Sequence, residues 1–374
     1  MAHGGRSAAL GTAPFRPRTA SLRCCGLRLL QLLAPAACAL LGLAALLPPL
    51  TGYELRAVPA GGAAAAGELS LLPLLAGFSE PGAREGADPA EGGPQTLPAG
   101  VVLVNDSVME VLTREAAWLP PDEIPKWIHT TWESWTGLSA DERRAAGRWV
   151  ELNPGWRYYF WDDGAVQYFL GHQMSSSEER DMLNEMKKIE VMDVFRYVLM
   201  ERLGGLYCDI DVEPVLPIEQ WTDVASPRPQ LVTGWESRFT NSSEKDLVGF
   251  ARMSQVQQWL IMSAPHHPVL KDVLVRISSL FKTHLTEFGI KLGTLELTGP
   301  GPWTDAVLAH VAPQGELSPP AGHGEGSANE VHYDGPGSVW VLPKECFAWS
   351  GFPPDVGNES AVLAKHHFKM SWHT

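Results

Sequence analysis

The stretch IEVMDVFRYVLMERLGGLYCDIDV, residues 189–212, contains a helix followed by a strand and decides the fold. Over residues 189–203 the apolar side chains recur at spacings of three and four, which predicts a helix with a broad buried stripe. Gly204 and Gly205 end this helix, because glycine takes the left-handed cap conformation without penalty. Residues 206–212 then predict a short strand that ends in acidic residues.

Further strands and helices are predicted on both sides of this unit. Residues 124–132 and 156–161 read as strands, because β-branched and aromatic residues dominate them. Between them, Ser139 and Glu142 form a capping-box pattern, which predicts a helix that ends near Asn153. The series continues with a strand at 230–235, a helix at 268–282 and a strand at 338–342. This alternation predicts an α/β fold with a largely parallel sheet.

The N-terminal part of the chain differs in composition from the rest. Residues 1–26 contain arginine and no acid, whereas 27–49 are almost wholly apolar and long enough to cross a bilayer core of about 30 Å. Because positive residues stay cytoplasmic, we expect a cytoplasmic tail, a transmembrane anchor and a luminal body, with a cleaved signal peptide as the alternative. Residues 50–120 are rich in Ala, Gly, Pro and Glu and predict a flexible stem. The folded region is then expected at 121–374.

Charge and cysteine content exclude some classes of protein. The formal net charge is -14, which argues against nucleic acid as a partner but does not oppose an anionic ligand held through a metal. Of five cysteines only Cys208 and Cys346 fall in the expected folded region, so the chain is not a disulfide scaffold. Cys208 is expected to be a buried strand thiol, and pairing with Cys346 is the alternative.

Asp209 and Asp211 form the candidate chemical centre. Two carboxylates at positions i and i+2 of a strand end face the same side, beyond the carboxyl ends of strands where ligands of α/β sheets bind. Oxygen ligands of this kind suit Mn²⁺ or Mg²⁺, which would neutralise the charge on a departing nucleoside diphosphate. A lone D-x-D also occurs by chance, and two solvated acids are the alternative interpretation.

The residues before this pair narrow the interpretation. A D-x-x-R at Asp193 and Arg196, followed by G-G-x-Y-x-D-x-D at 204–211, resembles the signature of glycosyltransferases with a D-x-D sugar-binding region. The chain is similar to glycosyltransferase family 32, which includes the fungal initiation-specific α-1,6-mannosyltransferases, over most of 121–374. The further segments that carry the resemblance are 124–132, 153–155, 161–163, Gly234 to Glu236, Trp259, 267–268, 298–305, 366–368 and 371–372. Arg238 and Met370 depart from the family pattern, where acceptor contacts are expected.

The resemblance implies roles for the residues of the signature. It implies that Asp193 binds donor-sugar hydroxyls and that Arg196 binds sugar or phosphate oxygens, for which the guanidinium fork is suited. Asp209 and Asp211 would form the catalytic and metal-binding pair. Tyr207 belongs to the same implied donor site.

Other candidates lie outside the signature. Glu236 and Asp305 are expected to orient the acceptor hydroxyl or to steady an oxocarbenium-like charge, and neither is expected to act as a nucleophile. At the end of the first strand, His129, Thr130 and Trp132 are candidates for contact with the nucleotide, although Trp132 could equally be a core residue. His367 is the candidate third metal ligand, with a packed histidine as the alternative.

The resemblance implies a GT-A-like, Rossmann-type single catalytic domain and a retaining reaction. We expect transfer of mannose from GDP-mannose to an N-glycan by a single-pass type II protein of the Golgi membrane. The alternatives are mannosyl or galactosyl transfer to a sphingolipid such as inositol phosphoceramide, and a luminal sugar-binding protein without activity. A phosphatase of the haloacid dehalogenase type is disfavoured, because Glu213 stands where that family has Thr or Val.

Overall fold

The computed structural model describes residues 97–174, 176–221, 229–239, 242–312, 330–349 and 362–369. Every described residue belongs to one compact unit, which lies within Leu69–Thr374. The predicted tail, the predicted anchor and most of the predicted stem lie outside the described residues. Within the described ranges, no helix has the length and apolar character needed to cross a membrane.

Helices and strands alternate along the described chain, as predicted. The helices are α1 (Asp106–Ala116), α2 (Ala140–Leu152), α3 (Asp163–Gln173), α4 (Ser177–Glu185), α5 (Lys188–Leu203), α6 (Ser242–Val248), α7 (Pro268–Leu280), α8 (Thr294–Leu297) and α9 (Pro300–Val311). The strands are β1 (Val101–Leu103), β2 (Trp127–Thr131), β3 (Arg157–Trp161), β4 (Gly205–Cys208), β5 (Val212–Pro214), β6 (Leu231–Arg238), β7 (Ser254–Val256), β8 (Leu260–Ser263), β9 (Val331–Tyr333), β10 (Val339–Leu342), β11 (Phe347–Trp349) and β12 (Ala364–His366).

The strands form two sheets. The larger has the order β1-β3-β2-β4-β8-β6-β10-β9, with β7 beside β6, and the smaller has the order β11-β12-β5. Strands β1, β3, β2 and β4 are parallel, as are β6 and β10, but β8 runs antiparallel to both of its neighbours. The α/β class is therefore confirmed, whereas the predicted largely parallel sheet is corrected to a mixed one. The reason is that β7 and β8 both pair antiparallel with β6, so the chain returns along the strand that it has just left.

The turn between α5 and β4 depends on two glycines, as predicted. Gly204 and Gly205 have φ angles of 68° and 99°, a conformation that side chains disfavour. A Cβ on Gly205 would lie 2.6 Å from the carbonyl oxygen of Trp127, so only glycine lets β4 approach β2 this closely. The helix therefore ends and the strand begins within two residues.

The prediction of one strand over residues 206–212 is wrong. β4 ends at Cys208, and the N–H of Val212 donates to the carbonyl oxygen of Asp209 at 3.0 Å. The chain turns at this point, because β4 belongs to the larger sheet and β5 to the smaller one. Asp209 and Asp211 are consequently turn residues between two sheets and not neighbours along one strand face.

The folded region begins earlier than the sequence indicated. β1 pairs in parallel with β3, with Val101 opposite Tyr158, although the predicted stem extended to residue 120. Short elements of this kind give a weak pattern in the sequence, and pairing with β3 supplies their stability. The predicted capping box is confirmed, since Ser139 Oγ accepts from the N–H of Glu142 at 3.3 Å and Glu142 Oε2 accepts from the N–H of Ser139 at 2.7 Å.

Helix α5 is more deeply buried than a single apolar stripe implies. It packs against α1, α3 and α7, and its polar residues Asp193 and Arg196 are only 2% and 5% exposed. Such groups are costly to bury unless they are paired, so the interior face of α5 holds a polar network. Cys208 is a fully buried free thiol, as expected, and Cys346 is also free.

Candidate functional site

A cluster of three side chains lies at the turn after β4. Ligand atoms of Asp209, Asp211 and His366 are all within 4.8 Å of one another. We call these three residues the carboxylate–histidine cluster. Two carboxylates and one imidazole form a donor set that suits divalent cations such as Mn²⁺, so the residues present fit a metal ion.

The smaller sheet brings His366 to this cluster. β12 pairs antiparallel with β5, with His366 opposite Val212, and the N–H of His367 donates to the carbonyl oxygen of Asp211 at 3.0 Å. His366 Nε2 then lies 3.0 Å from Asp211 Oδ1. His367 Nε2 instead lies 3.1 Å from Glu213 Oε2. The structure therefore corrects the candidate third ligand from His367 to His366, because adjacent residues at a strand end face opposite sides.

Asp211 is held by the segment that follows β12. Its Oδ1 meets His366, and its Oδ2 accepts from the N–H of Lys369 at 2.9 Å. Burial raises the pKa of Asp211, but the hydrogen bonds from His366 and Lys369 outweigh it, so the pKa lies below its usual value. The carboxylate is therefore ionised and fixed, as a metal ligand must be.

Asp209 is the more open carboxylate, with 28% of its side chain exposed. Tyr207 Oη donates to its Oδ1 at 2.9 Å, and Arg196 Nη2 lies 3.4 Å from the same oxygen. The guanidinium also sits over the Tyr207 ring, 5.1 Å from its centroid. Burial raises the pKa of Asp209 despite the opposing charges of Arg196 and His366. The predicted signature residues thus meet in space.

Asp193 supports Arg196 from the interior. Its Oδ1 lies 3.4 Å from Arg196 Nη2 and accepts from Gln258 Nε2 at 3.1 Å, while its Oδ2 accepts from Thr298 Oγ1 at 2.9 Å. Burial raises the pKa of Asp193 to about 6. Both oxygens already have protein partners and the residue is 2% exposed. The structure gives Asp193 a place behind Arg196, in contrast to the implied contact with sugar hydroxyls.

Gln258 is a site residue that the sequence analysis missed. Its carbonyl oxygen accepts from Arg196 Nη1 at 3.2 Å, and its side-chain oxygen accepts from Tyr197 Oη. With the bond to Asp193, it joins three groups of α5. No local pattern could reveal this role, because Gln258 lies 65 positions after Asp193 in the sequence.

Glu236 is held by two donors, one of them from Trp259, which also packs against His366 of the cluster. Its Oε1 accepts from Trp259 Nε1 at 3.3 Å and its Oε2 accepts from Gln255 Nε2 at 2.7 Å. Burial raises the pKa of Glu236, and His366 and Asp209 are close enough to contribute opposing electrostatic effects. The carboxylate is thus oriented by two neutral donors.

Asp305 forms an ion pair with Arg252, which is not a residue of the carboxylate–histidine cluster. Its two oxygens accept from Arg252 Nε and Nη2 at 2.8 and 2.7 Å, and Arg252 also holds Glu296 at 2.8 Å. Arg252 lies between α6 and β7, so its ion pairs with Glu296 and Asp305 connect that segment to α8 and α9. The structure therefore gives Asp305 a structural partner, in place of the predicted catalytic role.

His129 and Thr130 belong to the core. Both are fully buried, and His129 Nδ1 accepts from Trp161 Nε1 at 3.1 Å. Burial lowers the pKa of His129 to about 3, so this histidine is neutral. Without exposed surface, neither residue is placed to contact a nucleotide as predicted. Trp132 is half-buried and packs against the core.

Comparison with known proteins supports the same site. A family model described as "Glycosyltransferase sugar-binding region containing DXD motif" matches residues 139–226. The chain is 31% identical over 196 residues to an initiation-specific alpha-1,6-mannosyltransferase of Schizosaccharomyces pombe, covering 48% of this chain and 46% of that protein. It is 27% identical over 209 residues to the putative glycosyltransferase HOC1 of Saccharomyces cerevisiae, covering 53% and 52%.

Other similarities are shorter or looser. An inositol phosphoceramide mannosyltransferase of Schizosaccharomyces pombe is 29% identical over 120 residues, covering 28% of this chain and 30% of that protein. Among solved structures, PaToxG glycosyltransferase matches with a TM-score of 0.36 and 18% identity, covering 55% of this chain and 76% of that one. The fold description therefore rests on the strands and helices of this protein itself.

The residues that the family model matches include both acids of the carboxylate–histidine cluster. Residues 139–226 include α5, β4 and the turn that carries Asp209 and Asp211. The chain spans about half the length of the curated relatives it matches first. The predicted resemblance is confirmed: residues 139–226 match a glycosyltransferase sugar-binding region with a D-x-D motif, and about half of the chain is similar to fungal mannosyltransferases.

Proposed function

We propose that this protein is a metal-dependent retaining glycosyltransferase with a GT-A-like catalytic domain, which moves mannose from GDP-mannose to an N-glycan in an α-1,6 linkage. The observation that carries the proposal is the carboxylate–histidine cluster with Arg196 beside it. Two acids and an imidazole within 4.8 Å provide a metal site, and the guanidinium adds a fixed positive charge. A divalent cation and a guanidinium both stabilise the negative charge of a nucleoside diphosphate.

The chain's own residues would bind and orient the donor. Asp209, Asp211 and His366 would hold Mn²⁺ or Mg²⁺, which supplies positive charge against the diphosphate leaving group. Arg196 Nη2 lies 3.4 Å from Asp209 Oδ1, so the guanidinium would add positive charge beside the metal-bound diphosphate. Asp193 and Gln258 keep the guanidinium in place. Glu236 would orient the acceptor hydroxyl.

The acceptor and the location are part of the same proposal. Similarity to initiation-specific α-1,6-mannosyltransferases covers about half of the chain and supports an N-glycan acceptor. The shorter similarity to inositol phosphoceramide mannosyltransferase makes a sphingolipid the second candidate. The apolar segment at 27–49, with arginines before it, supports a single-pass type II protein of the Golgi membrane.

A donor panel tests the proposal. The full-length protein in detergent, with Mn²⁺, should transfer mannose from GDP-mannose to an oligomannose acceptor and should lose this activity with a chelator. Transfer from UDP-sugars alone would refute the mannosyl assignment. Transfer to inositol phosphoceramide in place of oligomannose would select the second candidate.

Substitution of one metal ligand provides the matched test. Asp211→Asn should lower transfer by at least about a hundredfold, since changes even in outer-shell partners of a metal cost about 10–100-fold. Asp246→Asn serves as control, because Asp246 is an exposed acid of α6 that pairs with Lys245. If Asp211→Asn binds glycans as well as the unsubstituted protein and neither transfers sugar, the protein is a sugar-binding protein and not a transferase.

A further inference from the structure

Trp259 contacts three residues of the site: Asp209 through its backbone carbonyl, Glu236 through its indole N–H and His366 through its ring face. Its carbonyl oxygen accepts from the N–H of Asp209 at 2.9 Å, and its indole Nε1 donates to Glu236 Oε1 at 3.3 Å. Its ring lies against the imidazole of His366, with centroids 4.5 Å apart and planes at 32°. Trp259 is 4% exposed as a whole residue, so these contacts lie inside the protein.

Within the described part of the chain, only one ring nitrogen of His366 has a hydrogen-bond partner. Metal-binding histidines usually donate their second ring N–H to a carboxylate or a carbonyl, which fixes the orientation of the ring. His366 Nε2 meets Asp211, but its buried Nδ1 has no hydrogen-bond partner among the described residues. The ring is instead enclosed by Trp259 on one side and by Phe368, with centroids 3.7 Å apart, on another. In the part of the chain that the structure describes, Asp211 and these two aromatic rings are therefore the contacts that hold the imidazole of His366.

Glu236 depends on the same tryptophan. The indole N–H and Gln255 Nε2 each donate to one of its carboxylate oxygens. Loss of the indole N–H would leave one oxygen of this half-buried acid without its protein donor, and the carboxylate would be less restrained. A single side chain thus connects the metal-binding histidine with the acid that is expected to face the acceptor.

We infer that Trp259 is a positioning residue with two separable roles: its ring face orients His366 for metal binding, and its indole N–H orients Glu236 for transfer. This inference rests on the proposed metal site and deepens it. It predicts that the two roles can be removed one at a time, because an aromatic ring without an N–H retains the first role alone.

Two substitutions separate the roles. Trp259→Phe keeps a ring against His366 and removes the donor to Glu236, whereas Trp259→Leu removes both. Trp221→Leu is the matched control, because Trp221 is also buried, packs against Phe347 as Trp259 does, and donates its indole N–H to a backbone carbonyl, that of Leu216. Cooperative thermal unfolding of each variant shows that it is folded.

The affinity for Mn²⁺ is measured by titrating the protein with Mn²⁺ and recording the electron paramagnetic resonance signal of the free ion. This measurement does not depend on enzymatic activity. Trp259→Leu should weaken Mn²⁺ binding about 10–100-fold, the range for lost support of a metal-binding histidine. Trp259→Phe and Trp221→Leu should bind Mn²⁺ within about twofold of the unsubstituted protein. Unchanged affinity in folded Trp259→Leu would overturn the role in orienting His366.

The second role is measured by a double-mutant cycle with Glu236→Gln. Trp259→Phe should lower kcat and leave the KM for the donor unchanged. In the Glu236→Gln background the same change should have no further effect, since the indole acts through that carboxylate. Independent, additive losses would overturn the role in orienting Glu236.

Two further outcomes need their own interpretation: a Trp259→Leu protein that does not fold, and an unsubstituted protein that does not bind Mn²⁺. If Trp259→Leu does not fold, Phe368→Leu tests the same enclosure of His366 from the other ring, and unchanged Mn²⁺ affinity there refutes the role of aromatic packing. If the unsubstituted protein itself does not bind Mn²⁺, the proposed metal site is refuted and this inference with it. Normal binding by the unsubstituted protein and by Trp259→Leu refutes the inference alone.

Discussion

Mild acid should destabilise this protein through His267, a buried residue at the start of α7. His267 is 2% exposed and its Nδ1 accepts from the N–H of Val269 at 3.2 Å, which caps the helix. Burial, together with the neighbouring ring of His310, lowers the pKa of His267 to about 3. The folded protein therefore keeps this histidine neutral at a pH where the unfolded chain protonates it.

The sign and the size of the effect follow from proton linkage. The histidine of the unfolded chain has a pKa near 6.5 and the folded one about 3, so stability is complete above 6.5 and is lost as the pH falls. Between about pH 7.5 and about pH 5, His267 alone should reduce the free energy of unfolding by about 2 kcal/mol. Continued to about pH 3, the loss would reach about 4 kcal/mol.

His267→Asn isolates this contribution. Asparagine preserves a side-chain acceptor for the helix start but does not titrate. Urea unfolding of both proteins, followed by tryptophan fluorescence, gives their free energies of unfolding at the two pH values. The unsubstituted protein should lose about 2 kcal/mol more than the variant over this interval, because all other titrating groups are common to both. A difference below about 0.5 kcal/mol would refute the buried neutral state of His267.

Two further predictions concern packing and charge. Gly234→Ala should destabilise the protein by about 1–3 kcal/mol, because the new Cβ would lie 2.2 Å from Cδ2 of Phe347. The measurement is the midpoint of thermal unfolding, and an unchanged midpoint would contradict the close approach of Gly234 to Phe347. Arg196→Gln leaves the two carboxylates that it bridges without their cation and should cost about 3–5 kcal/mol of unfolding free energy in urea titration. It should also weaken binding of the nucleoside diphosphate, measured by calorimetry, and unchanged stability and affinity would contradict the bridging role.

Much of the fold was predictable because its signals are local. The capping box of α2 lies within four consecutive residues, and the end of α5 requires two glycines with positive φ. Patterns of this kind act between neighbours in the chain, so the sequence displays them directly. The mixed sheet was not predictable in this way, because the antiparallel place of β8 depends on pairing with β4 and β6 across long separations.

The candidate site was predictable only in part for the same reason. Asp209, Asp211 and Arg196 belong to one continuous signature and meet as the spacing indicated. His129 and Thr130 lie on a strand whose burial on both faces was not evident from its composition. Asp305 finds its partner in Arg252, which lies 53 positions away, and no motif relates the two.

The sequence by itself determined the helix-to-strand unit with its glycine break, and hence the two acids and the arginine at the centre of the proposed donor site. Only the tertiary structure decided that the acids stand in a turn between two sheets, that His366 and not His367 joins them, and that Gln258 and Trp259 support them. The physical reason is the register of β12 against β5: a one-residue shift exchanges which histidine faces the acids. That register is set by packing between distant segments, which residue spacing along the chain does not encode.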